Sequence, residues 1–453
     1  MTIAEVVDGR PVRHAGQPTV STVTATAVAV ADMIGVGVFT SLGFQVQAIP
    51  SPFSLLMLWV VGGIVALCGA LSYAELAAAF PRSGGEYNFL ARIYHPAMGF
   101  LAGWISMTVG FAAPTALAAM AFGSYAAGIV PDVSPLALAL AVTGLMTAVH
   151  LGGAHRGGLF QNVATGVKIA LAVALIVAGF ASGGTGHVES FAPGWADLHH
   201  IASAPFAISL VFVMYAYSGW NAATYIAGEV HEPHRALPRS LIASTLVVML
   251  LYTALNAAFL YSTPVSELSG KLDVALVVGR TLFGDTGGRL VAGLICFGLV
   301  SSIGAMMWIG PRVTAVMGED IGLLKAFSVR NTQGVPVAAL MFQFSVVVAL
   351  LVTGSFETVL DFIQFSLTLC SFLAVLGVIV LRITQPDLPR PYRLLGYPLV
   401  PLVFLGVTGF MLVNLIVERP LQSLAGLAMM LAGLAVYALS PPRSATSQAN
   451  QNV

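Results

Sequence analysis

Met33 to Phe39 reads MIGVGVF, and Tyr215 to Asn221 reads YAYSGWN. Each stretch lies inside a long apolar run and carries what a helix interior avoids: Gly35-Val36-Gly37 in the first, Ser218-Gly219-Trp220-Asn221 in the second. A glycine inside a helix costs about 1 kcal/mol relative to alanine, so both runs are read as helices that stop and restart. The carbonyls behind such a break and the N–H groups ahead of it lose their helical partners. The chain around Met33 to Phe39 therefore decides the kind of molecule this is.

The surrounding composition says where these breaks sit. The chain has 453 residues, is 57% hydrophobic and only 8% charged, with 19 basic against 19 acidic side chains. Soluble domains carry about a quarter charged residues, and a mean hydropathy of +0.89 leaves too little polar surface to face water. The sequence predicts an integral membrane protein with the lipid bilayer as its surroundings. A net charge of zero offers no basic footprint for nucleic acid, so no nucleic-acid partner is expected. Cys68, Cys296 and Cys370 each stand in an apolar run, where a thiol behaves as a small hydrophobe. Leu272 follows the Gly270-Lys271 pair, so the Ser or Thr of a phosphate-binding loop is missing. The apolar segment behind the first 20 residues is longer than the roughly 7 to 15 residues of a signal-peptide core and is read as retained.

Cutting the chain at charge, Pro and Gly clusters, with roughly 20 apolar residues per spanning helix, gives twelve segments. They lie near 21–48, 52–80, 97–128, 135–153, 159–181, 202–229, 239–262, 289–317, 335–354, 358–382, 397–417 and 422–440. An even count places both termini on one side, and basic residues mark the cytoplasmic loops. With the N-terminus inside, fourteen of the 19 basic residues are cytoplasmic: Arg10, Arg13, Arg82, Arg92, Arg156, Arg235, Arg239, Arg312, Lys325, Arg330, Arg382, Arg390, Arg393 and Arg443. Only Lys271, Arg280, Arg289 and Arg419 fall outside, and Lys168 is mid-helix. Residues 1–20 and 441–453 are expected to be cytoplasmic tails. The breaks are five helices apart, so 21–181 and 202–382 read as two inverted repeats, followed by two helices over 397–440. Interrupted helices at matching places of two halves point to a transporter's binding site.

A broken helix offers two kinds of partner. Free N–H groups around Gly35, Val36, Gly37 and Val38, with the positive end of the second half-helix, suit a carboxylate. Carbonyls around Met33 and Ile34, and around Tyr215, Ala216 and Ser218, suit an ammonium. A zwitterionic amino acid presents both groups. The competing reading of the glycine pair is a close helix-packing contact.

Lys168 lies about 13 Å from either end of the fifth segment at 1.5 Å per residue, too deep to snorkel, and an ionisable residue at that depth is a functional candidate. It is read as an internal cation or a proton exchanger, against a structural lysine bonded to carbonyls of a broken helix. Asp32, just before the first break, could pair with Lys168, bind a cation, meet a substrate amine or cap free N–H groups. Glu75, Glu86 and Glu229 lie near cytoplasmic helix ends, as solvated groups or gate salt bridges. Tyr215, Tyr217 and Trp220 flank the second break as covers for a substrate. Gln343, Asn256 and Asn414 read as interhelical hydrogen-bonding residues. His231-Glu232-Pro233-His234 lacks the spacing that puts two ligands on one helical face, and His199-His200 with Asp197 is a weak alternative. The sequence predicts no metal site, no cofactor and no catalytic residue. A membrane enzyme would need an acid/base, nucleophile or metal cluster, and a channel a polar stripe or filter ring; neither assembles.

The sequence resembles the amino acid/polyamine/organocation superfamily of permeases, nearest its L-type amino acid transporter-like branch. The resemblance rests on Met33 to Phe39, Ser72 to Tyr87 (SYAELAAAFPRSGGEY), Tyr215 to Asn221 with Leu237-Pro238-Arg239 behind it, and Asp387 to Pro398 (DLPRPYRLLGYP). It implies an all-α LeuT-type fold of 12 transmembrane helices, two inverted five-helix repeats with helices 1 and 6 broken plus two more, working by alternating access. It places a substrate carboxylate at the first break and its amino group between both. It implies a gating aromatic at Tyr215, support of the unwound segment by Asn221, and Lys168 in the place of a sodium ion with Ser302 as neighbour. Val36 stands where many relatives have Ser, Ala or Thr, and Asp32 is unusual. The loop around Pro131-Asp132-Val133 has no cysteine, so no disulfide-linked heavy subunit is expected. Sodium-independent carriage of small-molecule amino acids, neutral or alternatively cationic amino acids or polyamines, by exchange or proton coupling, is the implied function.

Overall fold

The computed structural model describes residues 6–7, 10–11, 20–82, 84–152, 157–183, 191–225, 227 and 230–439. Most of the N-terminal tail, the C-terminal tail, Arg13, Arg156, Glu229 and Arg443 lie outside the described residues. The molecule is helical throughout its body. In chain order the helices are α1 Thr22–Met33, α2 Gly37–Ala48, α3 Pro52–Ala79, α4 Glu86–Ile93, α5 Pro96–Ile105, α6 Ala112–Ala127, α7 Pro135–Leu151, α8 Gly157–Ala181 and α9 Trp195–Ile201. There follow α10 Ala204–Ala216, α11 Ala222–Tyr225, α12 Pro233–Ser262, α13 Val265–Leu268, α14 Val274–Asp320, α15 Val337–Thr353, α16 Phe356–Thr384, α17 Leu399–Glu418 and α18 Pro420–Leu439.

Among the described residues, nine helical stretches are long and apolar enough to cross a membrane, with three shorter apolar helices, Pro135–Leu151, Ala204–Ala216 and Val337–Thr353. Their outward faces are apolar, with Leu145, Val177, Leu250, Leu290, Val352, Val413 and Leu424 all exposed. So broad an apolar surface suits lipid and not water. This is a multi-pass membrane protein.

Local sequence chemistry starts the helices. Ser51, Ser134 and Ser203 accept a hydrogen bond from the backbone N–H three residues on, and proline follows each within the first turn. The hydroxyl satisfies an orphan donor and the proline removes another. Two boundaries differ from the sequence reading. The eighth segment was expected from 289, but α14 begins at Val274 and bends at Gly284, whose φ of 72° is non-helical. One helix stops at Gly284 and a second continues behind it to Asp320, so the stretch expected as a loop before 289 contains an additional helix of its own. The other is α4, a short helix between the second and third segments that apolar periodicity could not reveal.

Two polar clasps fix the ends. Glu75, buried in α3, receives Arg382 of α16 through Nε at 3.0 Å and Nη2 at 2.6 Å, and the Leu394 N–H at 2.7 Å. Arg390 lies 3.5 Å away and donates to carbonyls of Leu381, Gln385, Pro386 and Leu388. The DLPRPYR stretch thus ties the last turn of α16 to α3. At the other end Asp197 of α9 accepts from Ser51, from Ser54 at 2.6 Å and from the Gly194 N–H at 2.7 Å. These bonds account for Asp197, which the sequence had paired with His199 and His200. They also hold its carboxyl below the usual carboxylate range.

Removing one partner of a buried ion pair costs about 3–5 kcal/mol, so Glu75→Ala is expected to destabilise the detergent-solubilised protein by that order in a denaturation series. A loss under about 1 kcal/mol would mean the clasp is only a surface pair. For Asp197 the folded pKa is the lower one. Its contribution is complete above the unfolded value of about 3.9 and is lost as pH falls through the folded value. Melting temperature should therefore fall less steeply below about pH 4 in Asp197→Asn than in the parent, and identical acid profiles would contradict this.

Candidate functional site

The first break is built as the glycines suggested. α1 ends at Met33, the Ile34 N–H still reaches Val30 O, and the Gly35 N–H folds back to Met33 O at 2.7 Å. α2 restarts at Gly37 with no side-chain cap. Among the described residues no acceptor faces the N–H groups of Val36, Gly37 and Val38. Three buried donors at the positive end of a helix form an anion site in the making.

The second break lies against the first. α10 ends at Ala216, a run of turns covers 217–221, and α11 resumes at Ala222. A Cβ on Gly37 would stand 2.5 Å from Ala216 Cα, so only glycine lets the two interrupted helices touch here. The Tyr252 hydroxyl of α12 reaches Met33 O and lies 3.2 Å from Ala216 O. One tyrosine proton therefore serves a freed carbonyl of each break in turn. Both of these carbonyls are among the predicted ammonium ligands.

Lys168, buried in α8, donates from Nζ to Ser302 Oγ at 3.2 Å and to Ala31 O at 3.5 Å. The lysine thus joins α8, α14 and the end of α1, beside the first break. Asp32 makes no ion pair with it among the described residues. Its carboxylate instead abuts Gly219 and lines a cavity of about 160 Å³. Although deep in the molecule, Asp32 is exposed, because the cavity wall is its surface.

That cavity is also lined by Ser218, Trp220 and Asn221 of the second break, by Ser106, Gly110 and Phe111, and by Met306, Gln364, Thr368 and Phe404. Ser106 to Gly110 form a single wide π turn between α5 and α6, a feature that concentrates at functional sites. Glu86 and Tyr225 close one side. Among the described residues no basic side chain lines it.

With this geometry in hand, comparison with known proteins is direct. The amino acid permease family model matches residues 20–440. The chain belongs to the amino acid permease family. This permease is similar to Asc-type amino acid transporter 1 of Mus musculus, 27% identical over 427 residues, covering 92% of this chain and 80% of the relative. It is equally similar to b(0,+)-type amino acid transporter 1 of Mus musculus, 27% over 435 residues, 93% and 88% covered. Large neutral amino acids transporter small subunit 2 of Homo sapiens is 27% identical over 426 residues, 92% and 79% covered. Family and relatives are transporters of amino acids and not enzymes.

Within the permease the predicted site residues divide. Met33, Ile34, Gly35, Val36, Gly37, Val38 and Ala216 meet at the crossing of the breaks, while Asp32, Ser218, Trp220 and Asn221 face the cavity. Tyr215 does neither. It is buried in an aromatic stack on the α2 side of the breaks, edge-on to Phe356 at 6.5 Å, where Phe44 stacks on both Phe212 and Phe356. Tyr217 is fully buried, and its hydroxyl donates to Trp59 O at 3.2 Å.

Three readings need correction. Glu86 is buried and has no basic partner among the described residues, so it is neither solvated nor in a salt bridge. Asn256 and Asn414 each donate to the carbonyl four residues earlier in their own helix, and of the three polar residues only Gln343 bonds across, to Met306 O. A single amide in an apolar helix does not announce which of these it does. Tyr252 was missed. A buried tyrosine hydroxyl must find a partner, but its position relative to the breaks is not visible in its own sequence.

Gly37→Ala should separate the breaks, and a drop in amino acid uptake of about tenfold or more, with the protein still folded, is expected from a misplaced site. Unchanged uptake would show that the contact between Gly37 and Ala216 does not matter.

Proposed function

We propose that the protein is a sodium-independent secondary carrier of L-amino acids, neutral ones first, working by alternating access as an exchanger or with proton coupling. The observation that carries this is the meeting of two interrupted helices, with three unclaimed N–H groups on one side and the carbonyls of Met33 and Ala216 on the other. The substrate carboxylate is assigned to Gly35, Val36, Gly37 and Val38, and its ammonium to the carbonyls of Met33, Ile34, Tyr215, Ala216 and Ser218, exchanging with the Tyr252 hydroxyl. Tyr215 and Trp220 act as gates on either side of the site, and Asn221 supports the unwound run. Lys168, with Ser302 and the Ala31 carbonyl, supplies the positive charge that a sodium ion would bring, which motivates sodium independence.

The same reading takes nine long and three shorter apolar helices as twelve spans, with residues 21–181 and 202–382 as inverted repeats and 397–440 as an added pair. The arginine distribution favours a plasma membrane orientation with both termini cytoplasmic. Absence of cysteine from the α6–α7 loop, with all three cysteines buried in helices, supports work without a disulfide-linked heavy subunit. A second reading, cationic amino acids or polyamines, is favoured by one observation. The Asp32 carboxylate faces a cavity that has no basic lining residue among the described residues.

Counterflow of labelled amino acids into preloaded, sodium-free proteoliposomes tests both. Uptake of a neutral subset is expected, with Lys168→Ala reducing it about tenfold or more if burial of an unreplaced charge partner matters. A strict need for sodium would overturn the role given to Lys168. Cationic uptake that is lost in Asp32→Asn would establish the second reading in place of the first.

A further inference from the structure

The two most distinctive stretches of this sequence, Pro81 to Tyr87 (PRSGGEY) and Ser218 to Asn221 (SGWN), are 131 positions apart counted from Tyr87 to Ser218, yet they touch. Gly84 and Gly85 hold φ of 117° and 50°, the left-handed region that favours glycine. The turn they make aims Glu86, the first residue of α4, into the molecule. A Cβ on Gly85 would stand 2.8 Å from the Tyr225 ring, so the ring of α11 rests directly on the glycine.

Both oxygens of the Glu86 carboxylate are then engaged. Oε1 accepts from Asn221 Nδ2 at 2.6 Å and from the Tyr73 hydroxyl at 2.9 Å, and Oε2 accepts from the Tyr225 hydroxyl at 2.5 Å. Every partner has a proton to give, and a carboxylate accepts from all three without offering one back. An amide in the same place would turn a donor toward a donor. The three partners come from α3, from the end of the second break and from α11. Tyr73 in turn packs edge-on against Trp220 with ring centroids 4.6 Å apart, and Trp220, Asn221, Tyr225 and Glu86 all line the cavity.

We propose that Glu86 is a positioning residue of the transport site: its carboxylate, through Asn221 and Tyr225, sets the geometry of the Ser218–Asn221 break. Where the sixth segment is unwound, no helical ladder joins α10 to α11, so the inner half takes its position from lateral contacts. Glu86 supplies two of these at one point, to Asn221 and Tyr225, and is itself tied to α3 through Tyr73. The half-buried Ser218 and Gly219 at the cavity, and the Trp220 wall, follow from where Asn221 is held. The role rests on the amino acid carrier reading for its kinetic consequence but not for its structural one.

The test uses the full chain in proteoliposomes with counterflow measured against substrate concentration. Glu86→Gln is expected to raise the apparent KM about tenfold while maximal rate changes less than about threefold, and Glu86→Asp to recover most of the loss. Tyr225→Phe, which keeps the ring and removes one donor, should raise KM by a smaller factor and add nothing in the Glu86→Gln background. Wild-type KM in Glu86→Gln, no recovery in Glu86→Asp, or a Tyr225→Phe effect that multiplies with Glu86→Gln would each overturn the proposal. Thiol labelling of Ser218→Cys, measured over the unsubstituted chain, reads the break without any substrate. Its rate should change about fivefold or more when Glu86→Gln is added, and an unchanged rate overturns the proposal even if the parent carries no amino acid. If the parent shows no counterflow while labelling responds, the carrier reading fails and the positioning role stands. Should Glu86→Gln not fold, labelling of Ser218→Cys in Tyr225→Phe and Tyr73→Phe decides, with no change in either being the overturning result.

Discussion

In the bilayer core every backbone polar group needs a protein partner, because no water reaches it. This permease breaks two helices there and answers the constraint by placing the breaks against each other. The contact is possible because Gly37 has no side chain, and the Tyr252 hydroxyl then serves the freed carbonyls of Met33 and Ala216. The N–H groups of Val36, Gly37 and Val38 are left unanswered. What the fold leaves unsatisfied is what a ligand can satisfy, so structure and function here have one origin.

The charged groups around the breaks are handled in three different ways. Lys168 is neutralised by dipoles, a hydroxyl and a carbonyl, and by proximity to the end of α1. Glu86 accepts from three neutral donors and is the fixed point proposed above. Asp32 opens to the cavity without a hydrogen-bonding side chain or ion pair among the described residues. Glu75, Arg382 and Arg390 form their network at the far end of α3, away from the breaks, where they hold helix ends together.

Much of this was legible in the sequence. Gly35 and Gly37 in one apolar run and Ser218-Gly219 in the other located both breaks because they oppose the surrounding helical preference, and the depth of Lys168 marked it as unusual before its partners were known. Burial of Ser302 beside Lys168 followed from the family resemblance and not from spacing. The side chain of Glu86 was not legible, because its partners lie on three elements and a glutamate at a helix end looks the same whether it faces water or the interior. The packing of Tyr215 was not legible for a similar reason: an aromatic at the end of a half-helix can turn toward the cavity or toward the Phe44, Phe212 and Phe356 stack, and packing decides. Gly284 was legible as an interruption, since its non-helical backbone separates two helices within Val274–Asp320, but the helix before it was not, because the stretch was read as loop up to 289.

The most direct measurement is a cryo-EM structure of the protein in lipid nanodiscs with a counterflow-competent amino acid bound. Density should place the carboxylate on the N–H groups of Val36, Gly37 and Val38 and the ammonium near the carbonyls of Met33 and Ala216, with the Tyr252 hydroxyl displaced from at least one of them. A substrate held elsewhere, or two helices that run unbroken through these positions, would contradict the site described above.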